Sequence, residues 1–568
     1  MNALKYPLCL IACLALPLAT AAQDYQPKFS LTGKARGVYF ADHYSGAGDT
    51  VTSPRSNSGH VMADLGMRLR PNPSTEVLAM VRVRNDYGGF WGSGVTFDLR
   101  QLQVKGLIQD RIRYTLGDVD YALTPFTFHR PGPLMAGILP SGMAQLQKNL
   151  AGYDAFITNH NSWRQQGGVV EFRTDFARGP RYADHSAFAF RQRAGFSGQA
   201  TESWAFGGRT LWTLNNPSPL TPWVKVGLNY VGIQELAGTS AATDLYGNHV
   251  LTGDFHIVKP SRWRLQGELG SSSTQWVSGD QDADYMIDVK GVYWLKELGI
   301  STAASLRYTE VGPDFYSPTA QTTPNISSLA PAAFTRIGNS KSVREWTYLD
   351  LFRESNLYRY RWNSTLGSDN NTYLIMDPRG LATPNRRRVT ADFAGKALGI
   401  FYKVEGVWAQ EIRGQGTDVL TQFSRVDLDL RWPSRMGYGV EFRGLIRDQR
   451  AWRTNVGDDV PNTSYRLPWT SWSAKAYLNS DQTFSVEGGL LTLGHGGFAY
   501  DIIRNAENTV LDIRGGERSH QELLPNLCLN YASSEQSTLT LGWLGSYVKT
   551  LDANYSIQNL YVLYAITF

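Results

Sequence analysis

Apolar and polar residues alternate with a period of two along most of the chain. In the stretch DLGMRLRP, one face holds Leu65, Met67 and Leu69, and the other holds Asp64, Arg68 and Arg70. Successive side chains of a β-strand point to opposite faces, so this pattern predicts strands with one apolar face each. The stretches TEVLAMVRVRND, SRWRLQGEL and SRVDLDLRW repeat it. A shift of phase in DLRQLQVK, at Arg100 and Gln101, predicts a β-bulge.

The connections between these strands are alternately short and long. The short ones are 70–75, 108–111, 215–222, 259–262, 296–299, 432–437, 479–482 and 533–537. The long ones are 43–58, 88–95, 122–165, 236–247, 275–282, 313–342, 367–386, 450–467 and 494–519. Membrane barrels keep short turns at one end and long loops at the other, whereas a soluble sandwich has no reason to preserve this order. Near the short turns lie five tryptophans that predict an aromatic girdle: Trp212, Trp223, Trp263, Trp294 and Trp432.

The pattern predicts an all-β fold, a single closed antiparallel transmembrane β-barrel of about 24 strands, within a range of about 22 to 26. An even count pairs the first strand, near Lys28 to Asp42, with the last. Closure is required because an open sheet edge in lipid leaves backbone groups unsatisfied. The last strand, NLYVLYAITF, has a predicted lipid-facing side made of Leu560, Val562, Tyr564, Ile566 and Phe568.

The N-terminal residues have the pattern of a secretory signal peptide. Lys5 precedes an apolar run from Leu8 to Leu18, and small residues follow at Ala19 to Ala21. The run is shorter than the ~20 residues that a transmembrane helix needs. We therefore predict a signal peptide at 1–22 and a barrel at 23–568, with no plug or periplasmic domain. Cleavage removes two of the three cysteines and leaves Cys528 alone, so no disulfide is expected within the chain.

The signal peptide, the alternation of turns and loops and the final strand YVLYAITF resemble the outer-membrane β-barrel class of Gram-negative bacteria. The resemblance covers nearly the whole mature chain and implies a multi-pass barrel in the cell outer membrane. It also implies that Phe568, Ile566 and Tyr564 form an assembly signal read by the barrel-assembly machinery, so deleting Phe568 should impair membrane assembly. Within the class, the inward arginines make the chain loosely similar to porins and to the alginate-export type of polysaccharide channel.

Charge narrows the functional classes. The net charge of +5 over 568 residues is too small for a dedicated nucleic-acid binder.

An arginine facing lipid near the midplane costs about 2–4 kcal/mol, so arginines that alternate with apolar residues should face the interior. The predicted pore-lining set is Arg68, Arg70, Arg82, Arg84, Arg191, Arg193, Arg262, Arg264, Arg425, Arg431, Arg443, Asp427 and Asp429. Rings of arginine favour anions. Alternatively, these arginines pair with carboxylates and only brace the wall, the candidates being Asp64, Glu76, Asp98, Glu268, Asp427, Asp429 and Glu441.

Other candidate chemistry is weak. The stretch HNSW, from His160 to Trp163, has Asp154 nearby, but neighbours in sequence do not make a triad, and no GxSxG or HExxH motif is present. We predict that the protein is not an enzyme. Asp118 and Asp120 form a carboxylate pair that could bind a cation, but spare acidic ligands are few there and a solvated strand end is the better interpretation. Asp280, Asp282 and Asp284 could hold Ca²⁺ or bridge lipopolysaccharide, but they lack the glycine-punctuated spacing of a calcium loop, so no metal and no cofactor are expected. Arg386 to Arg388 can form a basic rim or contact lipopolysaccharide phosphates.

Two functional hypotheses follow. The first is a porin-like channel or export conduit for polar, anionic solutes or polysaccharide, in which the long, partly apolar loop 122–165 folds into the pore as a constriction or gate. The second is a structural barrel that encloses or anchors a partner of a secretion, surface or electron-transfer complex. The expected partners are outer-membrane lipid, lipopolysaccharide, the barrel-assembly machinery and, for the second hypothesis, a periplasmic or plug protein. Nucleic acid is not expected.

Overall fold

The computed structural model describes residues 25–46, 55–87, 95–129, 140–147, 164–193, 202–215, 223–236, 246–275, 279–295, 301–320, 381–412, 421–432, 439–453, 463–504, 510–550 and 554–568. The predicted signal peptide, 1–22, lies outside them. The strands are β1 (Lys28–Gly46), β2 (Arg55–Asn72), β3 (Thr75–Tyr87), β4 (Val95–Ile108), β5 (Ile112–Asp120), β6 (Arg164–Asp175), β7 (Tyr182–Arg193), β8 (Glu202–Thr213), β9 (Trp223–Leu236), β10 (Gly247–Lys259), β11 (Trp263–Gln275), β12 (Gln281–Leu295), β13 (Ser301–Val311), β14 (Arg386–Ala397), β15 (Ile400–Gln410), β16 (Thr421–Trp432), β17 (Val440–Arg453), β18 (Thr463–Tyr477), β19 (Phe484–Arg504), β20 (Val510–Ser534), β21 (Ser537–Thr550) and β22 (Asn554–Thr567). A short helix, α1 (Ser141–Gln147), lies between β5 and β6. No helix in the described ranges is long and apolar enough to cross a membrane.

Each strand pairs antiparallel with its neighbours along the chain, and the sheet closes on itself. β1 pairs with β22 from Lys34 opposite Thr567 to Gly46 opposite Tyr555. Every described strand therefore has two hydrogen-bonded neighbours, as a sheet in lipid requires. The predicted fold class, a closed antiparallel barrel, is confirmed.

The described part of the chain forms a sheet of 22 strands, the lower end of the predicted range. Residues 342–367, between two of the predicted long connections, lie outside the described residues. β13 hydrogen-bonds directly to β14, from Ser301 opposite Lys396 to Val311 opposite Arg386. No further strand therefore separates these two neighbours.

The predicted alternation of short and long connections is confirmed. We call the end of the barrel with the short connections the turn end, and the opposite end the loop end. Two short turns were missed by the sequence pattern, at 176–181 and 398–399. The predicted loop 494–519 is wrong for most of its length, because β19 extends to Arg504 and β20 begins at Val510.

The last strand closes the barrel with the face that the sequence predicts. Leu560, Val562 and Tyr564 are exposed on the outer surface, while Tyr561 and Leu563 between them are buried inside. At the turn end, the backbones of Gly33 and Phe568 exchange hydrogen bonds of 2.7 and 2.9 Å. A Cβ at Gly33 would lie 2.5 Å from Phe568 Cζ, so only glycine lets the terminal ring lie over β1.

The predicted bulge is confirmed as well. Met80 pairs with Gln101 and Val81 with Leu99, so Arg100 is the extra residue.

The aromatic girdle is only partly as predicted. Trp212, Trp263 and Trp432 lie on the outward face, whereas Trp223 and Trp294 lie on the inward one. Each inward ring lies beside a cation: Lys225 Nζ is 4.2 Å from the Trp223 ring centre, and Arg264 Cζ is 5.6 Å from that of Trp294.

Candidate functional site

Parts of two long connections lie inside the barrel. They are residues 121–129 and 140–147 of the β5–β6 connection, and 312–320 and 381–385 of the β13–β14 connection. We call them the in-folded segments. Inward side chains of the loop-end half form three buried apolar clusters, each of which includes residues of these segments. The described parts of loop 122–165 therefore lie within the pore, as the sequence predicts.

Aromatic packing holds segment 121–129 against the wall. The Phe128 ring centre lies 5.2 Å from that of Phe188 and 5.7 Å from that of Phe190, both on β7. Phe126 is buried in a separate cluster that includes Met286 of β12 and Phe315 of the second connection. Burying such a ring contributes roughly 1.5–3 kcal/mol. The segment therefore spans two clusters and does not hang freely in the pore.

Hydrogen bonds tie the same segment to the second connection. The hydroxyls of Thr124 and Thr127 lie 2.8 Å apart and close a tight turn. The Thr319 hydroxyl donates to the carbonyl oxygen of Thr127 at 2.6 Å, and the amide of His129 donates to the carbonyl of Thr319 at 2.8 Å. The two connections are thereby joined inside the barrel.

Two titratable side chains of this segment are neutral in the docked position. Burial raises the pKa of Tyr121 to about 12 and lowers the pKa of His129. Tyr121 Oη lies 2.7 Å from Ser186 Oγ on the wall. His129 Nε2 is buried without a hydrogen-bond partner among the described residues. Charging the imidazole in place would leave a buried cation without a partner.

The helix α1 lies against the inward faces of β19 and β20. Pro140 precedes it and accepts the amide of Ala144 at 2.8 Å. Proline suits this position because the first turn of a helix needs no N–H from it. Met143 and Leu146, three residues apart on one helix face, are buried in the cluster that includes Leu491 and Leu524.

Small residues make room for this helix. A Cβ at Gly489 of β19 would lie 2.6 Å from Pro140 Cβ. A Cβ at Gly142 would lie 3.0 Å from Cys528 Sγ, so the lone cysteine, buried on β20, is part of the surface under the helix. The sequence pattern identifies Cys528 as a small strand side chain, but it does not reveal that this part of the wall receives a helix.

A row of three carboxylates crosses the wall beneath segment 121–129. Asp254 of β10 is opposite Glu268 of β11, which is opposite Asp288 of β12. Arg209 Nη2 lies 2.7 Å from Asp254, and Arg307 donates to both oxygens of Asp288, at 2.6 and 2.8 Å. The outer two carboxylates of the row therefore have cationic partners.

Glu268, in the middle of the row, is held differently. Its Oε1 accepts hydroxyl hydrogen bonds from Thr252 at 2.6 Å and from Thr124 at 2.8 Å. The predicted pairing of Glu268 with an arginine is wrong, since no arginine of the described chain forms an ion pair with it. Thr124 belongs to an in-folded segment, so a buried carboxyl of the wall anchors that segment.

The turn-end half of the interior is open and charged. We call this space the vestibule. Exposed inward cations line it on several strands: Arg68, Arg70, Arg113, Arg173, Arg264, Lys403 and Arg431. Arg113 is 68% exposed although its Nη1 lies 3.6 Å from Glu171. Arg82, nearer the loop end, is only 3% exposed.

The structure places most of the predicted pore-lining residues on inward faces. These are Arg68, Arg70, Arg82, Arg84, Arg264, Arg425, Arg431, Arg443, Asp427 and Asp429. The prediction that Arg191 lines the pore is wrong. Arg191 lies on the outward face of β7, where its Nη2 donates to Gln166 at 2.7 Å. Phe188 and Phe190 take the inward positions there because segment 121–129 packs on them. The prediction that Arg262 lines the pore is also wrong, since Arg262 lies in the turn between β10 and β11. The side chain of Arg193 lies outside the description.

Many inward arginines meet carboxylates, as the bracing alternative expects. Arg82 donates to both oxygens of the buried Asp64 at 2.6 Å. Glu76 receives Arg70 at 2.8 Å and Lys105 at 3.0 Å. Further pairs run along β16 and β17: Arg447 with Asp427 at 2.7 Å, Arg425 with Asp427 at 3.4 Å, and Arg431 with Asp429 at 2.5 Å. Glu441 instead accepts the Tyr477 hydroxyl at 3.0 Å, and the Asp98 side chain lies outside the description.

The remaining candidates have local structural partners. Asp118 accepts the amide of Leu102 at 2.7 Å, and Asp284 accepts that of Asp314 at 2.9 Å. In the described ranges, no group of three or more His, Cys, Asp or Glu side chains is placed to hold a metal ion. Arg386 and Arg387 pair with Glu411 and Glu310 at 3.2 and 2.8 Å. Asp154 and the stretch from His160 to Trp163 lie outside the described residues.

Comparison with known proteins gives similarity at the level of whole barrels. No family model and no curated protein matches the chain. Among solved structures, it is similar to a chain of the E. coli P pilus tip assembly intermediate PapC-PapD-PapK-PapG, with 10% identity over 96% of this chain and a TM-score of 0.38; it spans 62% of that chain. Pseudomonas aeruginosa OccK11 matches with 8% identity, 95% and 96% coverage of the two chains and a TM-score of 0.34. The FrpB iron transporter from Neisseria meningitidis matches with 8% identity, 94% and 81% coverage and a TM-score of 0.45.

The closed sheet and its exposed apolar outer side chains decide the class of the protein. A closed barrel with this outer surface satisfies its backbone in lipid, which an open sheet cannot do. The protein is an outer-membrane β-barrel. It resides in the outer membrane of a Gram-negative bacterium, where the short turns of such barrels face the periplasm and the long loops face the outside.

Proposed function

We propose that this barrel is a gated, passive channel for polar, anionic solutes, including acidic polysaccharide, which approach from the periplasmic vestibule. The observation that carries the proposal is the contrast inside one barrel: exposed cations line the turn end, and in-folded segments occupy the loop end. Cations in a water-filled mouth raise the local concentration of anions. No covalent step is involved.

In this proposal the in-folded segments act as the gate. Segment 121–129 is held by one carboxyl anchor and two aromatic rings, and α1 by two apolar side chains. Displacing either segment exposes inward side chains that are otherwise buried. Solute then diffuses past the charged wall down its concentration gradient.

Planar-bilayer recording of the purified chain tests the proposal. We expect small or rare current steps from the intact protein and larger, anion-biased steps when residues 141–147 are deleted. Replacing Arg113 and Arg264 by Gln should shift the reversal potential in a salt gradient toward cation preference. The absence of current from both the intact and the deleted chain would overturn the channel.

A second candidate function is a structural barrel that encloses or anchors a partner protein. The dense filling of the loop-end half favours it, because a braced and filled interior needs no solute path. In that case the chain would be silent in bilayers and would co-purify with a stoichiometric partner from outer membranes.

A further inference from the structure

A row of inward side chains crosses β14 to β17 at the turn end. Lys396 is opposite Phe401, Phe401 is opposite Arg431, and Arg431 is opposite Arg443. The next row toward the loop end places Lys403 opposite Asp429. All of these residues except Arg443 line a concavity of about 680 Å³ that opens into the vestibule. Its volume is in the range of small-molecule sites.

Cations outnumber carboxylates in this concavity. Arg431 pairs with the lining carboxylate Asp429 at 2.5 Å, and Arg443, outside the lining, lies 3.8 Å from the same carboxylate. Lys403 pairs with Glu405 at 2.5 Å, but Glu405 also pairs with Arg425. Lys396 has no carboxylate within ion-pair distance in the described part of the chain. The concavity therefore has a net positive charge and one cation available to a ligand.

An aromatic ring stands in the middle of these cations. Phe401 is 44% exposed toward the water-filled side of the wall, and Lys396 Nζ lies 4.7 Å from its ring centre. A phenylalanine exposed inside a charged vestibule gains nothing from burial in the native fold. Its free face is suited to pack against an apolar ligand surface.

The side-chain set selects a chemical class. A small inorganic anion would use the cations but not the ring, and a neutral sugar would use the ring but not the unpaired lysine. Arg431 is suited to a carboxylate, because a guanidinium donates two parallel hydrogen bonds. Asp429 accepts hydrogen bonds and can receive hydroxyl groups. A hydroxylated ring with a carboxylate matches all of these groups.

We infer that the concavity across β14, β15 and β16 is a binding subsite for an acidic saccharide, with the sugar ring on Phe401 and its carboxylate on Lys396 and Arg431. This deepens the proposed function and rests on it only for the direction of transport. Binding itself requires no current. The subsite is the first cationic surface on this wall that a polymer arriving from the periplasm meets, because it lies within a few residues of the turn at 398–399.

Equilibrium binding to the full chain in detergent micelles tests the inference. The probe is tetragalacturonate, followed by isothermal titration calorimetry at low salt, with maltotetraose, benzoate and sodium sulfate as comparison ligands. Lys396→Gln should weaken tetragalacturonate binding about threefold to fivefold, as expected for one exposed charge contact of about 1 kcal/mol. Phe401→Leu should weaken it by a similar factor and leave sulfate binding unchanged. The double variant should lose about tenfold or more.

Lys225→Gln is the matched control, since Lys225 also lies over an inward aromatic ring, Trp223, on β9 outside this concavity. It should leave tetragalacturonate binding unchanged. Equal loss in the control, equal affinity for maltotetraose, or tighter binding of benzoate or sulfate would overturn the inference. Folding of each variant is checked by its heat-modifiable migration on gels. Saccharide binding without bilayer current would reject the channel and keep the subsite. Anion-biased current without saccharide binding would keep the channel and reject the subsite.

Discussion

The two halves of the barrel interior are built by the same strands but have opposite character. On β1, Val38 and Phe40 near the loop end are buried, and on β2 the loop-end side chain of Asp64 is also buried. Six residues further along β2, at the turn end, Arg70 is 49% exposed. Alternation along a strand fixes which side chains face inward, but not whether they meet water. The in-folded segments decide that, because they occupy only one half.

This difference in exposure to water changes how much an ion pair contributes to the stability of the fold. Arg82 and Asp64 are both almost fully buried, so water screens their attraction very little. Arg113 and Glu171 face the vestibule, where water and salt screen them. The same residue types therefore act as structural braces in one half and as a solvated, ligand-accessible surface in the other.

Removing one arginine of an ion pair in each half should give the largest difference in the free energy of unfolding. Arg82→Met removes a cation paired with the buried Asp64 and should lower the free energy of unfolding by about 3–5 kcal/mol. Arg113→Met should cost about 1 kcal/mol or less. Urea unfolding in micelles, followed by tryptophan fluorescence, measures both. Similar losses in the two variants would show that the halves do not differ in this way.

A side chain placed under α1 should displace this helix and thereby open part of the loop-end half of the interior. Gly489→Val places side-chain atoms where Pro140 lies and should destabilise the docked helix by about 1–3 kcal/mol, as overpacking does. Single-channel open probability should rise. Gly406→Val is the control, because a Cβ at Gly406 meets no atom within 4 Å. An unchanged open probability for Gly489→Val would remove α1 from the gate.

The Glu268 anchor can be tested with two isosteric changes. Thr124→Val and Thr252→Val each remove one hydroxyl donor from the buried carboxyl and should each lower stability by about 1–3 kcal/mol. Only Thr124 belongs to an in-folded segment. Thr124→Val alone should therefore increase protease cleavage within 121–129 and raise the open probability. The same gating change in Thr252→Val would contradict this assignment.

The smallest expected effect is a pH dependence of docking. Burial holds the pKa of His129 below its ordinary value of 6.5 when segment 121–129 is docked. Well above pH 6.5 the imidazole is neutral in both positions and docking is unaffected. As the pH falls below that value, the undocked form takes up a proton that the docked form resists, so docking weakens.

We therefore expect the open probability to rise as the pH is lowered from 7.5 to 5.5, and His129→Gln to reduce that rise. Bilayer recording over this range measures it. A response to acid that is identical in the variant would mean that another group controls it.

The outer wall could be predicted well from the sequence, because lipid imposes one rule on every strand. The lipid-facing side of β22, the bulge at Arg100 and the alternation of turns and loops all follow from that rule. The turn at 398–399 was missed for a local reason. Leu398 and Gly399 both have positive φ, of 52° and 84°, and leucine is not a residue that signals such a turn.

The interior was harder to predict, because the filled half makes the inward face apolar as well. Arg191 follows the stretch FAF, in which Phe188 and Phe190 face in, so its assignment to the pore was reversed. Lys396, Phe401 and Lys403 flank the missed turn and were not recognised as one surface. Their juxtaposition with Arg431 depends on register across three strands, which alternation within a single strand does not specify.

The seam between β1 and β22 has a consequence for how the protein forms. The side chains of Asp42 and Asn559, which lie 517 residues apart in the chain, hydrogen-bond across it at 2.5 Å. Loop-closure entropy delays such distant contacts until most intervening hairpins exist, and long-range strand pairing is slow. The nascent barrel must therefore persist as an open sheet with two unpaired edges. The ring of Phe568 lies over Gly33 on this seam, so a side chain at position 33 would obstruct the pairing that closes the barrel.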